Sequence, residues 1–150
     1  MIVNLKHTGD MSFVAEGPSG FPVTMDSPRA NEAPAGPSPM ELVLMALGGC
    51  TSMDVVSILE KMKVRFSDLW VEINGEMAPA HPKVYTDIRM VFHFTGREED
   101  RPSFEKAITL SQERYCSVSV HLQKMARISW EIVIHPEQVG SVVIGGFPSE

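Results

Sequence analysis

The chain has 150 residues, of which 43% are hydrophobic and 21% are charged, a composition typical of one globular domain with a single core. Its formal net charge of −6 argues against a nucleic-acid partner, because proteins that bind phosphates concentrate Lys and Arg into a patch. No signal-peptide pattern opens the chain, and the longest apolar run, residues 42–50, is too short to span a bilayer. We therefore expect one cytoplasmic domain over residues 1–150, with no membrane partner.

The opening third of the chain has the pattern of short strands separated by turns. Apolar and polar residues alternate over residues 3–7, and the sequence GPSG at residues 17–20 interrupts the next apolar stretch as a hairpin turn does. The sequence predicts a meander of about three strands. Residues 27–39 contain four prolines without apolar periodicity, which predicts a loop.

A long helix is predicted from Ser38 or Pro39 to about Lys63. A capping Ser, a Pro at the first helical position and an acid in the first turn satisfy the rules for a helix start. The helix is apolar nearly all round, so we expect it to be buried. The pair Gly48 and Gly49 is unfavourable inside a helix and indicates the close approach of another backbone or of a second subunit.

The second half of the chain alternates strand and helix patterns, which gives an α+β fold. Period-2 alternation predicts two further antiparallel strands, and helical spacing then predicts an amphipathic helix, a third helix entered at Cys116 and a final strand. In chain order these elements lie near residues 69–75, 83–96, 101–115, 117–125 and 127–136. The tail, residues 137–150, is apolar without a decisive pattern, and its role stays open.

Cys50 and Cys116 lie far apart in sequence, which excludes a CxxC redox loop. Two cysteines are also too few for a secreted disulfide scaffold. Two interpretations stay open: independent buried thiols, or a redox pair that only the fold brings together. Because a thiol attacks as its thiolate, a reactive cysteine needs positive potential nearby. Arg29, in the loop before the helix, is the candidate cation, although a solvated loop charge is an equally simple interpretation.

Two segments carry a family resemblance. Residues 38–50, SPMELVLMALGGC, resemble the helix of the OsmC/Ohr family that ends in the peroxidatic cysteine, and residues 115–122, YCSVSVHL, are similar to that family's second cysteine motif. The order of predicted elements agrees as far as about His135. The resemblance implies an OsmC-like fold in an intertwined homodimer, with its active sites at the subunit boundary.

The same resemblance implies a thiol peroxidase that reduces organic hydroperoxides without metal, haem or other cofactor. Cys50 is then the attacking thiolate, Cys116 the resolving thiol and Arg29 the stabilising cation. The reductant is implied to be a dithiol, with a lipoyl-type dithiol as the candidate. An apolar pocket for the alkyl group would be lined by Met40, Met45, Thr51 and Met53.

The first motif departs from the family at Met40, which stands where the family has a glutamate partner for its arginine. Glu41 follows one residue later, about 100° further round the helix, and Glu32 is another possible partner. Loss of that acid leaves open an alternative function: a non-catalytic or redox-sensing binding protein with an apolar pocket.

Three further groups of titratable residues each have a simple structural interpretation. Glu113 is either a proton relay near Cys116 or part of a solvated helix face, and the latter is the simpler interpretation. Asp54, one turn beyond Cys50, is interpreted as a structural partner for a backbone or cationic group. The five histidines show no spacing typical of a zinc site, so no metal is predicted.

Overall fold

The computed structural model describes residues 1–27 and 33–137. Its elements are β1 Asn4–Gly9, β2 Ser12–Glu16, β3 Pro22–Met25, α1 Pro39–Met62, β4 Asp68–Met77, β5 Tyr85–Thr95, α2 Arg101–Leu110, a π-helical turn Ser111–Tyr115, α3 Ser117–Leu122 and β6 Arg127–His135. This mixed arrangement confirms the predicted α+β fold. The chain divides into two compact units, Met1–Gly49 and Cys50–Glu150. The expectation of a single domain stays a prediction.

The first unit contains the predicted meander, in which β2 pairs antiparallel with both β1 and β3. After β3 the chain is fixed by Asp26, whose carboxylate accepts hydrogen bonds from the backbone N–H groups of Ser27 at 2.8 Å and Ala35 at 3.0 Å. The bond from Ala35 has the largest effect in lowering the pKa of Asp26, with smaller contributions from the Ser12 side chain and the Ser27 N–H. Large apolar side chains of this unit stay exposed, for example Leu5 and Phe21.

Both ends of α1 are capped by local hydrogen bonds. At its start Ser38 and Glu41 form a capping box, in which the Ser38 N–H donates to the Glu41 carboxylate at 2.7 Å and the Glu41 N–H donates to Ser38 Oγ at 3.2 Å. At its end Lys63 adopts a φ of 59°, and the N–H of Val64 donates to the Leu59 carbonyl at 3.0 Å. This is the Schellman arrangement, which ends a helix where the sequence predicted an end.

The single chain buries one stripe of α1. The fully buried residues on the helix are spaced four apart: Leu47, Thr51, Val55 and Leu59. Other faces are open, since Met45 is 56% exposed and Met53 is 75% exposed. Among the described residues, α1 is also the one helix with the length and apolar composition of a membrane span, properties that core helices of soluble proteins share. The expected absence of a membrane partner therefore stays a prediction.

The second unit contains a three-stranded sheet in the order β4-β5-β6. β4 and β5 are antiparallel as predicted, and β6, predicted only as a final strand, runs parallel to β5. The segment between β5 and β6 is helical and long enough for the crossover that parallel neighbours need. The core side of the sheet is apolar, and Phe94 of β5 stacks on Phe104 of α2 with ring centroids 4.1 Å apart.

Candidate functional site

The two cysteines meet in the second unit. Cys50 Sγ, Cys116 Sγ and a carboxylate oxygen of Asp54 all lie within 4.8 Å of one another. Both cysteines are free thiols. Cys50 is partly exposed, whereas Cys116 is completely buried. The fold thus brings together two thiols that are distant in sequence, and only one of them has access to solvent.

Local structure places each of these groups. Cys50 and Asp54 are one helical turn apart on α1 and therefore share a face. Cys116 follows the π-helical turn, and its N–H donates to the Ser111 carbonyl at 2.8 Å. Cys116 is also the N-cap of α3, where its sulfur accepts a hydrogen bond from the Ser119 N–H at 3.3 Å. The turn and the cap together fix the direction of the Cys116 side chain.

A buried network of polar side chains ends at the Cys116 sulfur. Gln112 Nε2 donates to Thr51 Oγ1 at 3.1 Å, and the Thr51 hydroxyl donates in turn to Cys116 Sγ at 3.4 Å. The Gln112 amide oxygen accepts from the Ser119 hydroxyl, which itself accepts from Gln123 Nε2 at 3.1 Å. Because the Thr51 oxygen accepts from Gln112 in this network, the Thr51 hydroxyl proton points to the Cys116 sulfur.

The surroundings of Cys116 act on its pKa in opposite directions. Burial raises the pKa of the Cys116 thiol, and the neighbouring Cys50 raises it further. The hydrogen bonds from the Thr51 hydroxyl and the Ser119 N–H lower the pKa, because they stabilise the thiolate. Burial has the largest effect, so the pKa of Cys116 is raised overall and the group is held as a thiol.

Asp54 is held by the same turn. Its Oδ2 accepts a hydrogen bond from the Ser111 hydroxyl at 3.0 Å. Asp54 was expected to bond to a backbone or cationic group, and the partner in the structure is instead a neutral side chain. Its proximity to both sulfurs was not predicted.

The other predicted site residues lie in varied surroundings. Thr51 is buried against Cys116, whereas Met45 and Met53 are exposed and Met40 is partly exposed. The Glu41 carboxylate belongs to the capping box of α1, where the Ser38 contacts lower its pKa. Glu113 is exposed, as the solvated interpretation expects. Arg29 and Glu32 lie outside the described residues, so their assigned roles stay predictions, as does the apolar pocket.

Comparison with known proteins decides the family. A profile of the OsmC-like protein family matches residues 30–131, a span that includes both cysteines. The chain belongs to this family. The resemblance noted in the two cysteine motifs is thereby confirmed.

Individual OsmC-like relatives agree with this assignment. Protein YhfA of Escherichia coli (strain K12) is 38% identical over 135 residues, which cover 89% of this chain and 98% of YhfA. The crystal structure of a hypothetical protein from Aquifex aeolicus VF5 has a TM-score of 0.74 at 29% identity and covers 89% of this chain and 96% of that chain. The organic hydroperoxide resistance protein OhrB of Bacillus subtilis has a TM-score of 0.65 at 13% identity, with 89% and 98% covered. This last likeness shows the OsmC-like fold alone.

Three polar residues of this OsmC-like site escaped the sequence analysis. All three are buried. Ser111 donates to Asp54, Gln112 donates to Thr51, and the Ser119 N–H donates to the Cys116 sulfur. One signal was available, because Ser111 occupies the apolar face of the helical pattern that begins at Phe104. A polar residue at such a position predicts a buried hydrogen-bond partner.

Proposed function

We propose that the protein is a two-cysteine thiol peroxidase that reduces organic hydroperoxides. The observation that carries the proposal is the pairing of a partly exposed Cys50 with a buried Cys116, with their sulfurs within 4.8 Å. Family membership supports it, since structural relatives include proteins named for organic hydroperoxide resistance. OsmC-like membership by itself fixes neither substrate nor mechanism, so the proposed chemistry rests on the two thiols.

The proposed reaction has three steps. The Cys50 thiolate attacks the peroxide oxygen, the O–O bond breaks, and the alkoxide takes a proton to leave as an alcohol, which leaves Cys50 as a sulfenic acid. The Cys116 sulfur then attacks the Cys50 sulfur, and water leaves as the disulfide forms. A dithiol reduces the disulfide by two successive thiol–disulfide exchanges and is itself oxidised to a disulfide.

The difference in exposure supports the proposed roles of the two cysteines. A hydroperoxide must reach the sulfur that attacks it, and Cys50 is the cysteine with solvent access. Cys116 is completely buried and need only reach Cys50. A disulfide needs sulfurs about 2.05 Å apart, so the pair must close from a separation of at most 4.8 Å. Rotation of the Cys50 side chain, without a change in the helix backbone, is a small movement that would bring the sulfurs closer.

The open faces of the chain support a homodimer as part of the proposal. α1 leaves Met45 and Met53 exposed, and a Cβ built at Gly49 meets no atom within 4 Å. The close approach expected at Gly49 is therefore not made within the described part of one chain. A second copy packed against this helix would provide it. Cytoplasmic location, the stabilising role of Arg29 and a lipoyl-type reductant belong to the same proposal.

Turnover tests the proposed activity. The reduced protein with cumene hydroperoxide and dihydrolipoamide should consume many equivalents of peroxide. Cys50→Ser should abolish consumption. Without dithiol, Cys116→Ser should consume one equivalent and stop at the Cys50 sulfenic acid, because no intramolecular disulfide can form. Consumption that survives in Cys50→Ser would exclude the mechanism.

A second candidate, a redox sensor oxidised once per chain, is favoured by one observation. The Glu41 carboxylate, which belongs to the first motif, is bonded to Ser38 in the helix cap and is not directed at a cation among the described residues there. A chain without an acid partner for a stabilising cation would oxidise slowly. Stoichiometric disulfide formation without multiple turnovers under lipoyl dithiol would favour the sensor over the peroxidase.

A further inference from the structure

Cys50, Asp54 and Cys116 form a cluster of metal-ligating side chains as well as a pair of thiols. Two sulfurs and one carboxylate oxygen lie mutually within 4.8 Å. A tetrahedral zinc ion with bonds of about 2.3 Å to sulfur separates two thiolate ligands by about 3.8 Å. The three donor atoms could therefore surround one ion after side-chain movements on the order of 1 Å.

The chemistry of the donors selects the metal. Thiolates exclude Ca²⁺ and Mg²⁺, which take oxygen ligands, and a carboxylate beside two sulfurs suits Zn²⁺ better than Cu⁺. Three protein ligands leave a fourth position for water, on the side where Cys50 and Asp54 are partly exposed. The ion would enter from that side.

Supporting contacts for the ligands already exist. The Ser111 hydroxyl orients the Asp54 carboxylate at 3.0 Å. The Thr51 hydroxyl and the Ser119 N–H both donate to Cys116 Sγ. Such outer contacts fix ligand direction in metal sites, and none of them needs to break for an ion to bind.

We propose that the reduced protein binds one zinc ion through Cys50, Asp54 and Cys116, and that the bound ion holds both thiols in an unreactive state. Zinc displaces the two thiol protons to solvent, and no electron is transferred. Metal and disulfide exclude each other because both use the same sulfur atoms. The site rests on the cluster's geometry and does not depend on the proposed peroxidase activity. Sequence analysis predicted no metal because it considered histidine spacing, and this cluster contains no histidine.

Titration of the full-length reduced protein tests the proposal. Zinc in competition with a colorimetric chelator should bind at one equivalent per chain, and Co²⁺ should give a sulfur-to-metal charge-transfer band. Oxidation to the disulfide should abolish both signals. Absence of stoichiometric binding, or a cobalt spectrum without the sulfur band, would overturn the site.

Two matched variants of α1 test the carboxylate. Asp54→Asn keeps an acceptor for Ser111 but loses the anionic ligand, so zinc affinity should fall at least about tenfold, the lower end of what even outer contacts contribute. Glu60→Gln, an exposed acid on the same helix, should leave affinity unchanged. Equal affinity in wild type and Asp54→Asn would contradict the three-ligand site.

Activity separates this inference from the proposed function. In a single turnover without dithiol, which would itself bind zinc, one equivalent of zinc should stop hydroperoxide consumption, and a chelator should restore it. Turnover unaffected by stoichiometric zinc would overturn the inference alone. Stoichiometric zinc binding by a protein that never consumes hydroperoxide would support the site and overturn the peroxidase.

Discussion

Thr51 and Ser119 give the buried Cys116 sulfur two hydrogen-bond donors, one from a side chain and one from the backbone. Burial disfavours a thiolate at this position, and these donors partly compensate by lowering the pKa of the thiol. This balance fits the resolving role proposed for Cys116, in which the group rests as an unreactive thiol and ionises when it attacks Cys50.

Thr51→Val tests the hydroxyl without changing side-chain shape. The variant loses the donor to Cys116 and leaves the Gln112 amide with only the weak Met90 sulfur as acceptor, so the free energy of unfolding should fall by about 1–3 kcal/mol. Disulfide closure after one equivalent of hydroperoxide should also slow. Urea denaturation and stopped-flow thiol assays measure the two effects.

The same substitution at Thr86 is a matched control. Its exposed hydroxyl donates to the Glu76 carbonyl at 3.3 Å on the edge of the β4–β5 pair. Thr86→Val should change stability by less than about 0.5 kcal/mol, as is usual for surface positions. Equal losses in the two variants would contradict a special role for Thr51.

His93 predicts a pH dependence that is separate from the cysteines. It stacks on Trp70, its Nδ1 lies 3.0 Å from His135 Nε2, and its Nε2 lies 3.4 Å from a Glu72 carboxylate oxygen. Burial lowers the pKa of His93 below its ordinary value of 6.5, with a smaller contribution from His135, against the opposing effect of Glu72 and the more distant Glu131.

The unfolded chain therefore binds a proton at His93 more readily than the folded chain. Neutral His93 is compatible with the folded state, so its contribution to the free energy of unfolding is fully present above pH 6.5. That contribution is lost as the pH falls below 6.5 towards the lower pKa of the folded state. Thermal unfolding should show a melting temperature that drops between pH 7.5 and pH 5. His93→Gln should reduce that drop, while His81→Gln, at an exposed position, should keep it. An unchanged drop in His93→Gln would contradict the assignment.

At the scale of elements, the helices and strands followed from the sequence because their signals are local. The start of α1 was predicted from Ser38, Pro39 and Glu41, and the capping box forms from two of these residues. The direction of β6 and the π-helical turn before Cys116 were not predictable in the same way. Strand direction depends on which crossover packs, and a π turn differs from an α turn by one hydrogen-bond step.

Ser38→Ala tests the contribution of the cap. The variant loses the acceptor for the Glu41 N–H, so the free energy of unfolding should fall by about 1 kcal/mol, within the range typical of N-cap serines. Ser57→Ala, in the middle of the same helix, should be neutral or slightly stabilising because Ala is the better helix former. Chemical denaturation measures both, and a larger loss at Ser57 than at Ser38 would contradict the cap.

The cysteine pair shows where prediction from sequence stopped. Cys50 and Cys116 were selected by their motifs, but their separation, the burial of Cys116 and the contact of Asp54 with Ser111 depend on tertiary packing. No local pattern in α1 specifies which residues of a turn far along the chain will pack against it.

At the scale of the whole molecule, the single chain leaves apolar surface uncovered on α1 and on the N-terminal meander. Exposed apolar surface is often an interface, and each of these two surfaces is a candidate. A homodimer built around α1 would cover part of the α1 surface. It would also explain the glycine at position 49, where the described part of one chain leaves room for a side chain.

Gly49→Ala separates the monomer from the dimer. In a lone chain the new methyl group meets open space, and α1 should gain up to about 1 kcal/mol of helix stability. Against a second helix the methyl group would push the backbones apart and weaken association. We expect weaker dimerisation by analytical ultracentrifugation; a variant with unchanged association and a higher melting temperature would contradict the interface.

The central claim, that Cys50 and Cys116 act as one redox pair, is tested most directly by intact mass. After one equivalent of cumene hydroperoxide, the reduced wild-type chain should lose the mass of two hydrogen atoms, and Cys116→Ser should gain the mass of one oxygen atom at Cys50. Wild-type protein that keeps its mass, or that gains oxygen without closing the disulfide, would contradict the account.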